Sequence, residues 1–189
     1  SPDGILWERR TSGTTERLES VAGNGSMVVA VGSGGAILSS PDGVAWTLRP
    51  SGFTAFLRHV TWSGSAFLAV ADGALRSSAD GVTWQSYSNN AGGLLTIRWL
   101  EGILCGTGDI NLSTSVDAIT WTPRLTLVGS GFTDVASNGS QWVVTSSDGK
   151  VRRSSNRGLD WSAPQTVTAS ALNAVVSDGS GYVVAGRSE

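Results

Sequence analysis

Short apolar runs alternate with tight polar turns along the whole chain. Met27–Val31, Ala66–Val70, Ile103–Cys105, Trp142–Val144 and Tyr182–Ala185 are continuous apolar runs. A half-exposed strand would alternate, so unbroken runs fit strands buried on both faces. Each run follows a two-residue turn ending in glycine: Asn24-Gly25, Ser63-Gly64, Glu101-Gly102, Asn138-Gly139 and Asp178-Gly179. Asn-Gly and Asp-Gly suit the positive φ of a tight hairpin. Before each turn lies an apolar pair: Leu18/Val21, Leu57/Val60, Leu94/Ile97, Phe132/Val135 and Leu172/Val175. No segment carries a sustained helical period with a cap, so the expectation is strands throughout.

A third feature repeats with the same phase. Ser1-Pro2-Asp3-Gly4-Ile5-Leu6-Trp7 recurs as Ser40–Trp46 and Ser78–Trp84, and more weakly as Ser115–Trp121 and Ser155–Trp161. The Trp-to-Trp spacings are 39, 38, 37 and 40 residues, and 35 from Trp161 through the two ends back to Trp7. Each unit thus reads as four short strands joined by tight turns. Units of this length and strand count predict a single all-β domain over residues 1–189, a five-bladed β-propeller of four-stranded antiparallel blades. In this reading residues 170–189 supply inner strands of the last blade and residues 1–10 its outer strand. That pairing would hide the sheet edges. An arc of a larger ring is the alternative.

Composition narrows the function. The 189 residues carry a net charge of −2, which gives no field for nucleic acid. One cysteine, Cys105, and one histidine, His59, exclude an internal disulfide and any mechanism needing two histidines. No cofactor or metal is expected, because one carboxylate per Asp-Gly turn is too few for a calcium site. No apolar run approaches the ~18 residues of a membrane-spanning helix, so membrane insertion is not expected.

The Ser-x-Asp-Gly-x-x-Trp copies resemble the Asp-box, or bacterial neuraminidase repeat, one residue shorter than its usual form. In that family the box is a structural turn between the third and fourth strands of a blade. The resemblance implies that Asp3, Asp42, Asp80 and Asp117 hold their own turns and that Trp7, Trp46, Trp84, Trp121 and Trp161 plug the blades. At the fifth copy this alignment sets Arg157 where the Asp belongs. The family includes sialidases, but their early Phe/Tyr-Arg-Ile-Pro segment is absent, and only Tyr87 and Tyr182 are available as a nucleophile. Glu16, Glu19 and Asp134 fall near the innermost strands and read as channel-lining residues.

Trp62 and Trp99 share a repeat position at which other units carry Gly23, Ser137 and Ser177. They are candidate platforms for a sugar ring, with Arg58 and Arg98 as candidate partners for a carboxylate. The function expected is a non-enzymatic binding or adhesion module. It would recognise a surface glycan or protein in an extracellular, cell-surface or virion setting. A scaffold ring within a larger assembly is the first alternative, and a sialidase-like glycoside hydrolase the second.

Overall fold

The structure, a computed structural model, describes residues 4–71, 74–87, 90 and 92–187. The strand expectation holds: the one helical element among the described residues is a single 3-10 turn at Ser33–Gly35. The first sheet is β1 (Leu18–Gly23), β2 (Val28–Gly32), β3 (Ile37–Ser40) and β4 (Thr47–Arg49). The second is β5 (Leu57–Trp62), β6 (Phe67–Ala71), β7 (Ala74–Ser78) and β8 (Gln85–Tyr87). The third is β9 (Leu94–Leu100), β10 (Ile103–Gly108), β11 (Asn111–Ser115) and β12 (Thr122–Thr126). The fourth is β13 (Phe132–Ser137), β14 (Trp142–Ser146), β15 (Lys150–Ser154) and β16 (Gln165–Thr166). The fifth holds only β17 (Leu172–Ser177) and β18 (Tyr182–Gly186). Within each sheet the strands run antiparallel in sequence order.

The first strands lie side by side, β1 on β5, β5 on β9, β9 on β13 and β13 on β17, and so surround a common axis. Each carries one extra residue in its pairing with the second strand: Glu19, Arg58, Leu95, Thr133 and Asn173. Such a bulge bends the strand and sharpens its twist.

The core lies between sheets. Val29, Val31 and Ile37 of the first sheet pack on Leu57, Val60, Phe67 and Ala69 of the second. Leu68, Val70 and Leu75 of the second meet Leu94, Ile97 and Leu104 of the third. Cys105 and Leu112 meet Phe132, Val135 and Trp142, and Ala136, Val143 and Val151 meet Leu172 and Val175. Fully burying each such side chain contributes roughly 1.5–3 kcal/mol relative to leaving it exposed.

The Ser-x-Asp-Gly turns are held by their own side chains. Asp42 Oδ1 accepts the Val44 and Ala45 N–H groups at 2.8 and 3.0 Å, and Asp80 and Asp117 repeat this within their own turns. These N–H groups stabilise the ionised form and hold all three carboxyls below the usual range. Each Trp indole then donates to the backbone carbonyl three residues earlier, at 2.9–3.4 Å. Trp121 is buried, whereas Trp46, Trp84 and Trp161 are half-buried. Asp3 lies outside the described residues.

Two expectations are corrected. In the fifth box Arg157 does not stand in for the Asp. Ser154 and Asn156 do the work: Asn156 Oδ1 accepts the Ser154 hydroxyl and the Asp160 N–H, both at 2.9 Å. The turn is one residue longer than the others, so counting back from Trp161 picks the wrong serine. The second correction concerns closure. Residues 4–17 form no strand, and the sheet of β17 and β18 has two strands, so the five sheets form an open arc among the described residues. Trp7 has its box hydrogen bond but no sheet to plug and is 80% exposed.

Candidate functional site

Antiparallel order sets the two ends of the arc. The turns after the first strands and the boxes share one end. The turns after the second strands and the loops leading to each next sheet share the other.

At the box end two grooves flank the box of the third sheet, Ser115–Trp121. The first, of about 310 Å³, runs between the second and third sheets. Ser63, Ser65, Ser77 and Gln85 line one side, and Trp99 and Val116 the other. Gly64 is placed so that an added Cβ would lie 3.6 Å from the Trp99 indole nitrogen, so the turn backbone rests on the ring. The second, of about 340 Å³, runs between the third and fourth sheets. Thr122 and Arg124 face Asn156, Arg157 and Leu159 across it. Arg124 Nε donates to Thr114 Oγ1 at 2.8 Å, which fixes the guanidinium at the groove wall. Arg157, with a left-handed φ of 57°, projects 63% exposed and 3.9 Å from Glu101. Asp117 borders both grooves.

Glu101 is a residue that sequence reading passed over. Its turn counterparts Asn24, Asn138 and Asp178 accept N–H groups of their own turns. Glu101 instead reaches the fourth sheet, accepting the Ser137 hydroxyl and, at 3.3 Å, the Trp142 indole N–H. A long acid at a position filled elsewhere by short turn-formers was the available signal. A larger hollow of about 590 Å³ runs along Arg9–Thr15, but that one segment alone lines it. No second element converges there to make a site.

Around the axis the polar residues are spoken for by neighbouring sheets. Arg98 of β9 makes a bidentate pair with Asp134 of β13, at 2.9 and 3.0 Å. Asp134 is 3% exposed and also accepts the Val175 N–H of the next sheet at 3.2 Å. Ser20 does the same for Val60 at the interface of the first and second sheets, at 3.1 Å. His59 occupies the matching position in β5 and is buried, with Nδ1 unpartnered among the described residues. Burial, helped by the Arg98 charge and opposed by Asp134, pushes its pKa down to about 4. Glu16 accepts the Ser33 hydroxyl at 2.6 Å, and Glu19 pairs with Arg17.

The structure therefore divides the four candidate binding residues. Trp62 and Trp99 both lie at the box end of their strands. Trp62 tilts against Phe67, ring centroids 4.8 Å apart, and is packed into the first interface, while Trp99 walls a groove. Arg58 lies toward the opposite end, exposed, with its guanidinium 4.9 Å from the Phe56 ring centre. Arg98 is committed to Asp134.

Neither a protein-family model nor a curated protein matches this sequence. Solved structures do match. Similar folds occur in YCF48 bound to D1 peptide (TM-score 0.73, 19% identity, 97% of this chain and 66% of that one). A nidogen/laminin complex is similar over 90% of this chain and 72% of that one (TM-score 0.71, 11% identity). The WD40 β-propeller domain of Doa1 is similar over 91% and 62% (TM-score 0.72, 12% identity). At these identities the likeness shows the fold, a β-propeller. The chain spans about two thirds of the length of the structures it matches.

Proposed function

We propose that the chain is a non-enzymatic binding module that takes an extended polar partner, a protein segment or a glycan, across the box end. The pair of grooves flanking the Ser115–Trp121 box carries this reading. One offers an aromatic wall and several hydroxyls, the other two guanidinium groups, and they lie side by side for a ligand longer than either. Bound partners in the YCF48 and nidogen/laminin structures support a protein segment. The Trp99 wall keeps a sugar in play. The Asp-box relationship and an extracellular, cell-surface or virion setting belong to the same proposal and rest on the sequence resemblance. A scaffold role within a larger assembly is the second reading.

Peptide and glycan arrays would supply a ligand for titration against three variants. Trp99→Ala and Arg157→Ala should each weaken binding about tenfold or more, as removal of an anchor does. Arg58→Ala, at the opposite end, should leave it unchanged. Binding indifferent to both groove variants, or turnover of a bound glycan, would overturn the reading.

A further inference from the structure

The turns between first and second strands hold a matched pair. Asn24-Gly25-Ser26 and Asn138-Gly139-Ser140 share their sequence. Both glycines take a left-handed φ, 93° and 90°. Both asparagines are half-buried, and both glycines are exposed to water. In each turn the asparagine Oδ1 accepts three bonds from the two residues after the glycine. Asn24 takes the Ser26 N–H and hydroxyl at 3.0 Å and the Met27 N–H at 2.8 Å. Asn138 takes the Ser140 N–H and hydroxyl at 3.0 Å and the Gln141 N–H at 2.8 Å. Donors fixed on a carbonyl oxygen stabilise the oxyanion that forms when a nucleophile adds to its carbon.

The two turns differ at the glycine nitrogen. The Gly139 N–H donates to Ser137 Oγ at 3.0 Å, and the Ser137 hydroxyl donates to Glu101 Oε1. Glu101 Oε2 accepts the Trp142 indole N–H at 3.3 Å, which holds the carboxylate in place. A proton path therefore runs from the Gly139 nitrogen through Ser137 to a carboxylate. In the first sheet Gly23 stands where Ser137 does, so the path lacks its first member. In the fifth sheet Ser177 accepts the Gly179 N–H at 3.1 Å but passes its own proton to the Gly181 carbonyl. The turn residue there is already an acid, Asp178.

We propose that Asn138 is a self-modification site, converted to aspartate or isoaspartate through attack by the Gly139 nitrogen. That nitrogen adds to Asn138 Cγ while its proton passes to Ser137 Oγ and the Ser137 proton passes to Glu101. The new C–N bond closes a five-membered succinimide. The Cγ–Nδ2 bond breaks, and Nδ2 leaves as ammonia with the proton returned from Glu101. Water then opens either ring carbonyl. The net reaction consumes water, releases ammonia and adds a negative charge to the turn. The aspartate product fits, because Asp178 makes the same three bonds in its own turn, each at 2.8 Å. The isoaspartate product lengthens the backbone between β13 and β14. Ser137 touches the reacting nitrogen, and Glu101 acts through it. The inference does not depend on the groove ligand.

Mass spectrometry of the digested chain, sampled during incubation at neutral pH, reads both asparagines at once. In the folded chain Asn138 should lose its amide about tenfold or more faster than Asn24. In urea the two should react alike, because their local sequences match. Glu101→Gln keeps an oxygen for the Ser137 hydroxyl and removes the base, so a merely structural role for Glu101 would leave the rate unmoved. Ser137→Gly copies the first sheet. Each substitution should bring Asn138 down to the Asn24 rate. Asn24, held in its turn, should react more slowly in the folded chain than in urea. A variant that fails to fold shows itself by a faster Asn24, and the other variant then decides. Equal rates for the two asparagines in the folded chain overturn the proposal. So does an Asn138 rate indifferent to either substitution in a folded variant.

Discussion

The first sheet has two faces of similar sequence character, one buried throughout and the other buried only around Ala30 and Leu38, with Trp46 against them. Its following face packs Val29, Val31 and Ile37 to zero exposure against the second sheet. Its preceding face repeats the apolar spacing of every other unit yet leaves Val21 at 62% exposure and Leu18 at 39%. Their counterparts Val60 and Leu57 are at 1% and 0%. The lesson is that apolar pattern names a face that can be buried. A neighbouring sheet decides whether it is.

The sharpest way to break this comparison is to truncate equivalent residues on either side of it. Trp121→Ala should cost about 3–5 kcal/mol in urea unfolding, as a large core deletion does. Trp7→Ala, with the same indole hydrogen bond, should stay within about 0.5 kcal/mol at low protein concentration. Equal losses would mean that Trp7 is buried in solution. Leu57→Ala and Leu18→Ala form the next pair. The first should cost about 2–5 kcal/mol, and the second well under that because its side chain is already partly wet.

His59 sharpens the comparison through pH. Its pKa is near 4 in the folded chain against 6.5 for the free side chain, so the unfolded chain takes up the proton first. Its contribution is therefore intact above pH 6.5 and is lost as pH falls from 6.5 toward 4. The total is about 3 kcal/mol. Thermal melts at pH 7 and pH 4.5 would read it. His59→Thr, the residue the third sheet carries there as Thr96, should flatten the profile. An unflattened profile would assign the pH dependence to other groups.

The smallest effect separates the boxes. Asp80 is held ionised by the Thr83 and Val82 N–H groups, and its lowered pKa makes that stabilisation present at neutral pH. It should be lost as pH falls through and below the ordinary 3.8. In the Ser154–Trp161 turn a neutral amide, Asn156, accepts the backbone N–H in place of a carboxylate. Asp80→Asn should keep the turn and remove its share of acid sensitivity. Asp80→Ala should cost about 1 kcal/mol or less, since the carboxylate is exposed. Acid unfolding unchanged by Asp80→Asn would show that charge is not what holds the turn.

Most of the fold was legible because each unit states its own strands and turns. The apolar run, the Asn-Gly hairpin and the Ser-x-Asp-Gly box recur in phase, and each is a local device. Closure was not legible. Spacing gives the length of a unit, whereas ring size comes from the angle at which sheets stack, which no single unit encodes. The box at Ser154–Trp161 misled because an insertion of one residue leaves Trp161 in place while moving the serine that matters. The candidate site was half legible. Trp99 stood out by repeat position, but Arg98–Asp134 joins two different repeat positions across an interface, and aligning units cannot reveal such a pair. Trp62 stood out equally and turned out to be wedged against Phe67.

Cys105 makes the third interface its own reporter. It is the only cysteine in the chain and is wholly enclosed between the third and fourth sheets. Burial first, then the Asp134 charge, raises its pKa far above the usual thiol range, so almost no thiolate exists to react. A disulfide reagent can reach it only when those two sheets part. Its labelling rate under native conditions therefore measures the opening of one interface without any introduced probe. If labelling keeps pace with global unfolding, the arc melts as a single cooperative body. If it runs ahead, the sheets peel apart one by one, as a stack of nearest-neighbour units would.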